Sequence, residues 1–179
     1  MDLQKIRSTL YKLNVLYNEA STESNFQIDI YCKLAALELC GWIEETNDEL
    51  VIGYMERYLS EKEVKDFKSK YIQKVHGFNY QKHLRPLLIN LLGVILVSKM
   101  EMDLKFEIDY LEDLLDELYI YRCKLAHRQY FESNPAIGQA QISIDAPSKI
   151  IDKFNSISHL LTKIGEFINN IDFSKISPR

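Results

Sequence analysis

Two thirds of the way along the chain the sequence reads LYIYRCKLAHRQYF, Leu118 to Phe131, in which Arg122 is followed five positions later by His127. A guanidinium and an imidazole that converge on one small anion can perform phosphodiester chemistry. Arginine neutralises the phosphate and holds it through paired hydrogen bonds. Histidine takes or gives a proton near neutral pH. With a ribose 2'-hydroxyl as internal nucleophile, such a pair needs no metal. If the helix continues through the stretch, positions 122 and 127 stand about 140° apart around its axis, an arc much of which a long arginine can span. Alternatively, the helix ends near Ala126 and frees the histidine. Lys124 and Arg128 flank the pair, either as contacts to further phosphates or as a solvated basic turn. Cys123 lies four residues before His127 on one helical face. It reads as a nucleophile or, more often for a free cysteine, as a small packing residue.

A bland explanation competes. Glu101, Asp103, Glu107, Asp109, Glu112, Asp113, Asp116 and Glu117 precede the basic Arg122, Lys124 and Arg128. Acid early in a helix and base at its end is what the macrodipole favours. Composition alone would prefer that reading. Other chemistries leave less trace. His76, His83, His127 and His159 make neither HExxH nor finger spacing, and no Glu stands three residues before a His. Phosphate-cradling glycine loops and a GxSxG elbow are absent as well. No metal and no cofactor are expected.

The elements that must carry these residues are helices. With only 6 Gly and 4 Pro in 179 residues, the chain has few turns to spend, which disfavours an all-β fold. Leu3, Ile6, Leu10 and Leu13 recur at helical steps. A long second helix starts near Ile28 and passes Gly41, which costs propensity but admits close packing. Ser60 with Glu63 is a capping-box pattern that opens a third helix near Glu61. His76 to Pro86 reads as a connection, with Pro86 in the first turn of a helix carrying Leu87 to Ile95. Lys99 to Phe106 reads as a break. Ile108, Leu111, Leu115 and Leu118 then lead into the opening stretch. A loop insert over about 132–147 follows, and Ile150 to Ile171 is a last helix. The sum is one all-α domain, 1–179, an up-and-down bundle of about five or six helices.

The net charge of -4 argues against bulk binding of nucleic acid and for a local contact. Three cysteines without framework spacing fit free thiols in a reducing compartment. The first residues are amphipathic rather than signal-like, and Leu87 to Val97 is too short to span a bilayer. The expected location is the cytoplasm, without membrane contact.

The order Arg-Cys-Lys-Leu-Ala-His, with Ala just before the His at the end of an apolar helix, resembles the R-x4-6-H signature of HEPN domains, often written RNxxAH. YCKLAALELCGWIEETNDELV resembles the long helix of the RiboL-PSP-type group of HEPN proteins. HLRPLLINLLG resembles the segment that precedes the motif helix there. The resemblance covers about Ile28 to Phe131. It implies a helical bundle that pairs as a homodimer, with both motifs in one composite cleft. It implies metal-independent cleavage of RNA to a 2',3'-cyclic phosphate, with Arg122 and His127 catalytic. Toxin–antitoxin and phage-defence roles, and an antitoxin or other protein partner, are further implications. The polar residue that usually follows the motif arginine, commonly Asn, is Cys123 here. That departure and the acidic net charge leave a second reading: a non-catalytic HEPN module that dimerises and binds RNA or a partner protein.

Overall fold

The computed structural model describes residues 3–20, 25–74, 77–127 and 145–171, without the side chains of Asn25, Lys124, Ala126 and His127. The fold is all-α. Among the described residues the α-helices are α1 (Leu3–Ala20), α2 (Asn25–Met55), α3 (Glu61–Phe67), α4 (Arg85–Leu92), α5 (Val94–Asp103), α6 (Lys105–His127) and α7 (Pro147–Asn169). Five-residue π-helical turns extend α3 (Lys68–Ile72) and lead into α4 (Tyr80–Leu84).

Seven helices replace the expected five or six, and Gly93 is the reason. Its φ of 82° lies in the left-handed region, where only glycine is at ease, so the apolar run from Leu87 to Ile95 is cut in two. The second piece runs on to Asp103. The expected break over Lys99 to Phe106 shrinks to Leu104, at φ -113° and ψ 32°. The connection before Pro86 is also shorter than expected, because 80–84 are already helical. The loop insert lies outside the described residues over 132–144, and Pro147 already belongs to α7.

The helix signals act as their chemistry requires. Ser60 Oγ accepts the backbone N–H of Glu63, while Glu63 accepts the Ser60 N–H at 2.8 Å, so two orphan donors at the start of α3 are satisfied reciprocally. Pro86 sits in the first turn of α4, where its missing N–H costs nothing. Ile150, Phe154, Ile157, Leu161, Ile164 and Ile168 are all buried at three- and four-residue steps along α7. Gly41 departs from expectation. A Cβ there would meet nothing within 4 Å, so no close packing demands a glycine.

The helices divide into two compact units. One comprises Ile43–Asp116 and Asn155–Arg179, the other Asp2–Trp42 and Glu117–Phe154. In the first, Phe78, Tyr80, Leu84, Leu88 and Met100 are fully buried. In the second, Trp42 packs edge-on against Phe154, with ring centroids 5.0 Å apart, and Leu10, Leu39 and Leu118 are fully buried. The motif end of α6 belongs to this second unit.

Candidate functional site

The motif is built on the last turns of α6. Leu111, Leu115, Leu118 and Leu125 are fully buried along the helix, and Tyr121 nearly so. That apolar stripe fixes the rotation of α6 about its axis. The described helix runs to His127, one residue past Ala126. Positions 122 and 127 are then about 140° apart in rotation and about 7.5 Å apart along the axis. Arg122 is half-buried and Cys123 is a half-buried free thiol. The side chains of Lys124 and His127 and the whole of Arg128 lie outside the described residues. The last carbonyls of an α-helix have no partner within it, so this end of α6 carries partial negative charge that favours the cations of the motif.

Joined to this end of α6 is a polar cluster that sequence reasoning missed. Lys153, on α7, donates to Glu117 Oε1 and to Asp145 Oδ2, each at 2.8 Å. The backbone N–H of Asp145 donates to the Tyr121 hydroxyl at 2.8 Å. Lys149 Nζ stands 3.5 Å from the other Asp145 oxygen. The Lys153 and Asp145 side chains are only 14% and 19% exposed, so their pairing is screened far less than a surface pair would be. Burial alone would raise the Asp145 pKa, but the Lys153 hydrogen bond and the charges of Lys153 and Lys149 outweigh it and hold it below the ordinary value. Burial would lower Lys153, yet its bonds to Asp145 and Glu117 prevail and raise it. A signal was available in the sequence: Asp145, Lys149 and Lys153 recur at four-residue steps, one face of a helix and its entry.

The cysteines differ in environment. Burial, followed by the Asp29 and Asp145 carboxylates, pushes the Cys32 thiol up to about 11, so it stays protonated and inert at neutral pH. Trp42 is 7% exposed and packs in the core of its unit.

A second polar cluster lies in the other unit. Arg85 grips Glu101 bidentately, Nε to Oε1 at 2.7 Å and Nη2 to Oε2 at 3.1 Å, and the buried Tyr80 hydroxyl donates to Oε1 at 3.0 Å. Burial and the Glu101 carboxylate raise the Tyr80 pKa far above the ordinary range. Asn79 ties three groups together. Its Oδ1 accepts the Lys82 N–H, its amide donates to Asp116, and its own N–H donates to His83 Nδ1. With Nδ1 accepting, the neutral His83 ring carries its proton on Nε2, and burial lowers its pKa. Here the Arg85 guanidinium is committed to a carboxylate, and His83 anchors a helix entry.

Among the described residues, no group of three His, Cys, Asp or Glu side chains could hold a metal ion, and no helix is long and apolar enough to cross a membrane. No family model, no curated protein and no solved structure matches the chain.

Proposed function

We propose that this chain is a metal-independent endoribonuclease of HEPN type, acting in the cytoplasm as a homodimer whose two motifs share one cleft, in a toxin or phage-defence role. The observation that carries the reading is the placement of Arg122 and His127 on the last turns of one long helix in an all-α chain. His127 accepts the proton of a ribose 2'-hydroxyl as that oxygen attacks the adjacent phosphorus. Arg122 neutralises the non-bridging oxygens while phosphorus is five-coordinate. The bond to the 5'-oxygen breaks, that oxygen takes up a proton, and a 2',3'-cyclic phosphate remains. Lys124 and Arg128 contact neighbouring phosphates. Support for pairing comes from α6 itself, which exposes Phe106 (84%), Tyr110 and Ile120, apolar surface of the kind a second copy would cover.

A second reading is favoured by one residue. Cys123 stands where a polar side chain usually follows the motif arginine, and a thiol is a weak donor for orienting a phosphate. Under that reading the chain is a non-catalytic dimer that binds RNA or a partner protein, an antitoxin among them. The deciding experiment incubates purified protein with RNA in excess EDTA. Cleavage that leaves cyclic-phosphate ends, and spares DNA and RNA methylated at the scissile 2'-hydroxyl, supports the enzyme. Binding without cleavage supports the module. Cleavage that requires magnesium, or that proceeds on DNA, refutes the proposed chemistry.

A further inference from the structure

We propose that Lys153, Asp145, Glu117 and Tyr121 form a clasp that positions the motif end of α6, making Lys153 a positioning residue for the site. In its catalytic consequence this rests on the ribonuclease reading; in its mechanical consequence it does not.

The argument starts from helix ends. The last turn of a helix has no further turn to hold its carbonyls, so it opens locally at little cost unless tertiary contacts restrain it. A pair that must act on one phosphate tolerates little such opening, since a misplacement of about 1 Å can cost about a hundredfold in rate. The clasp grips α6 at two points one turn apart, Glu117 and Tyr121, and Tyr121 immediately precedes Arg122. The grip is made by α7 and its entry. Lys153 reaches Glu117 and Asp145 at once, and the Asp145 backbone reaches Tyr121.

The chemistry of the three contacts differs in a useful way. Glu117 is 60% exposed, so its bond to Lys153 is the weak arm. Asp145 and Lys153 are mostly shielded, so theirs is the strong arm. The Tyr121 contact uses a backbone donor, which fixes the chain at 145 rather than a side chain that could swing away. The Asp145 charge also reaches Cys32, on the first part of α2, and helps to raise its pKa after burial and Asp29. Within this unit, α6 and α7 are therefore joined at Asp145.

An internal control exists. Lys163 donates to Glu107 at 2.7 Å and likewise joins α7 to α6, at the opposite end of α6 from the motif. Lys163→Met removes the same kind of bond without touching the clasp.

The test compares Lys153→Met, Lys153→Arg, Glu117→Gln and Lys163→Met in the full chain, all well below their melting temperatures. Amide hydrogen exchange is followed over 118–127, and RNA cleavage is resolved into kcat and KM. Lys153→Met is expected to speed exchange at 118–127 by about tenfold or more. It should lower kcat with KM held. Glu117→Gln should have a smaller effect, and Lys153→Arg should recover most of both. Lys163→Met should leave both readouts at wild-type values. Unchanged exchange in Lys153→Met, or equal effects in Lys163→Met, overturns the clasp. So does faster exchange with an unaltered kcat. If the wild-type chain cleaves no RNA, the ribonuclease reading falls, and the exchange arm alone decides the clasp.

Discussion

Glu101→Gln is the substitution whose cost the structure allows to be worked through. The carboxylate accepts two bonds from Arg85 and one from Tyr80. Gln keeps one acceptor oxygen, loses the charge, and turns an N–H2 group toward an N–H2 group of the guanidinium. Hydrogen bonds to charged groups contribute about 1.5–3 kcal/mol each when shielded. The Arg85 and Glu101 side chains are 29% and 22% exposed, so solvent screens part of this. Tyr80 is fully buried and retains an acceptor on Gln, which limits the loss further. A net cost of about 2 kcal/mol follows, which for a chain of this length lowers Tm by about 4–8 °C. The pH dependence gives a sharper check. The Arg85 hydrogen bond, against an opposing contribution from burial, lowers the Glu101 pKa from its ordinary 4.5. A depressed carboxylate stabilises the fold fully above its unfolded value, and that stability is lost as pH falls through the folded value. Thermal unfolding of wild type and variant should therefore differ most near neutrality, and the gap should close progressively below pH 4.5. A gap below about 0.5 kcal/mol at neutral pH, within the range of an inert surface change, would refute the reasoning. So would a gap that stays constant through the carboxylate range.

Other predictions concern the motif and the glycines. Arg122→Ala and His127→Ala should each abolish most RNA cleavage, and the double variant should lose little more than either single one, because both act on one transition state; additive losses in kcat would speak against a shared site. Gly41→Ala should stabilise the chain by about 0.5–1 kcal/mol, since the position is helical and a Cβ there meets open space. Gly77→Ala should destabilise it by about 2 kcal/mol or more, because φ is 134° and a Cβ would lie 2.6 Å from the His83 ring. A lowered denaturant midpoint for Gly41→Ala, or a raised one for Gly77→Ala, would refute the corresponding argument.

What was legible in the sequence was whatever local chemistry decides. Ser60 and Glu63 announce the start of α3 because the capping box is made by residues three apart. The isoleucines and phenylalanines of α7 announce their buried face because burial selects a helical period. Gly93 was readable as a residue but not as a break, since a glycine can sit inside a helix or end one, and only its φ of 82° distinguishes the two. The same ambiguity ran the other way at Gly41, which looked like a packing device and is none. At the candidate site, Arg122 and His127 stand out because their types and spacing carry chemistry. The clasp behind them does not, because Lys153 and Glu117 are 36 residues apart, and Lys153 resembles an ordinary surface charge until the fold shields it.

The ion pairs make charge local without changing its sum. Glu101 faces Arg85, Glu107 faces Lys163, and Glu117 and Asp145 share Lys153. The net charge of -4 already counts those three cations, so setting the pairs aside leaves the rest of the chain acidic. Charge that is paired within the fold contributes little at a distance of one Debye length, about 8–10 Å at physiological salt. Under the proposed function, attraction of an RNA strand therefore has to come from the local placement of Arg122, Lys124 and Arg128, against the overall charge and not with it.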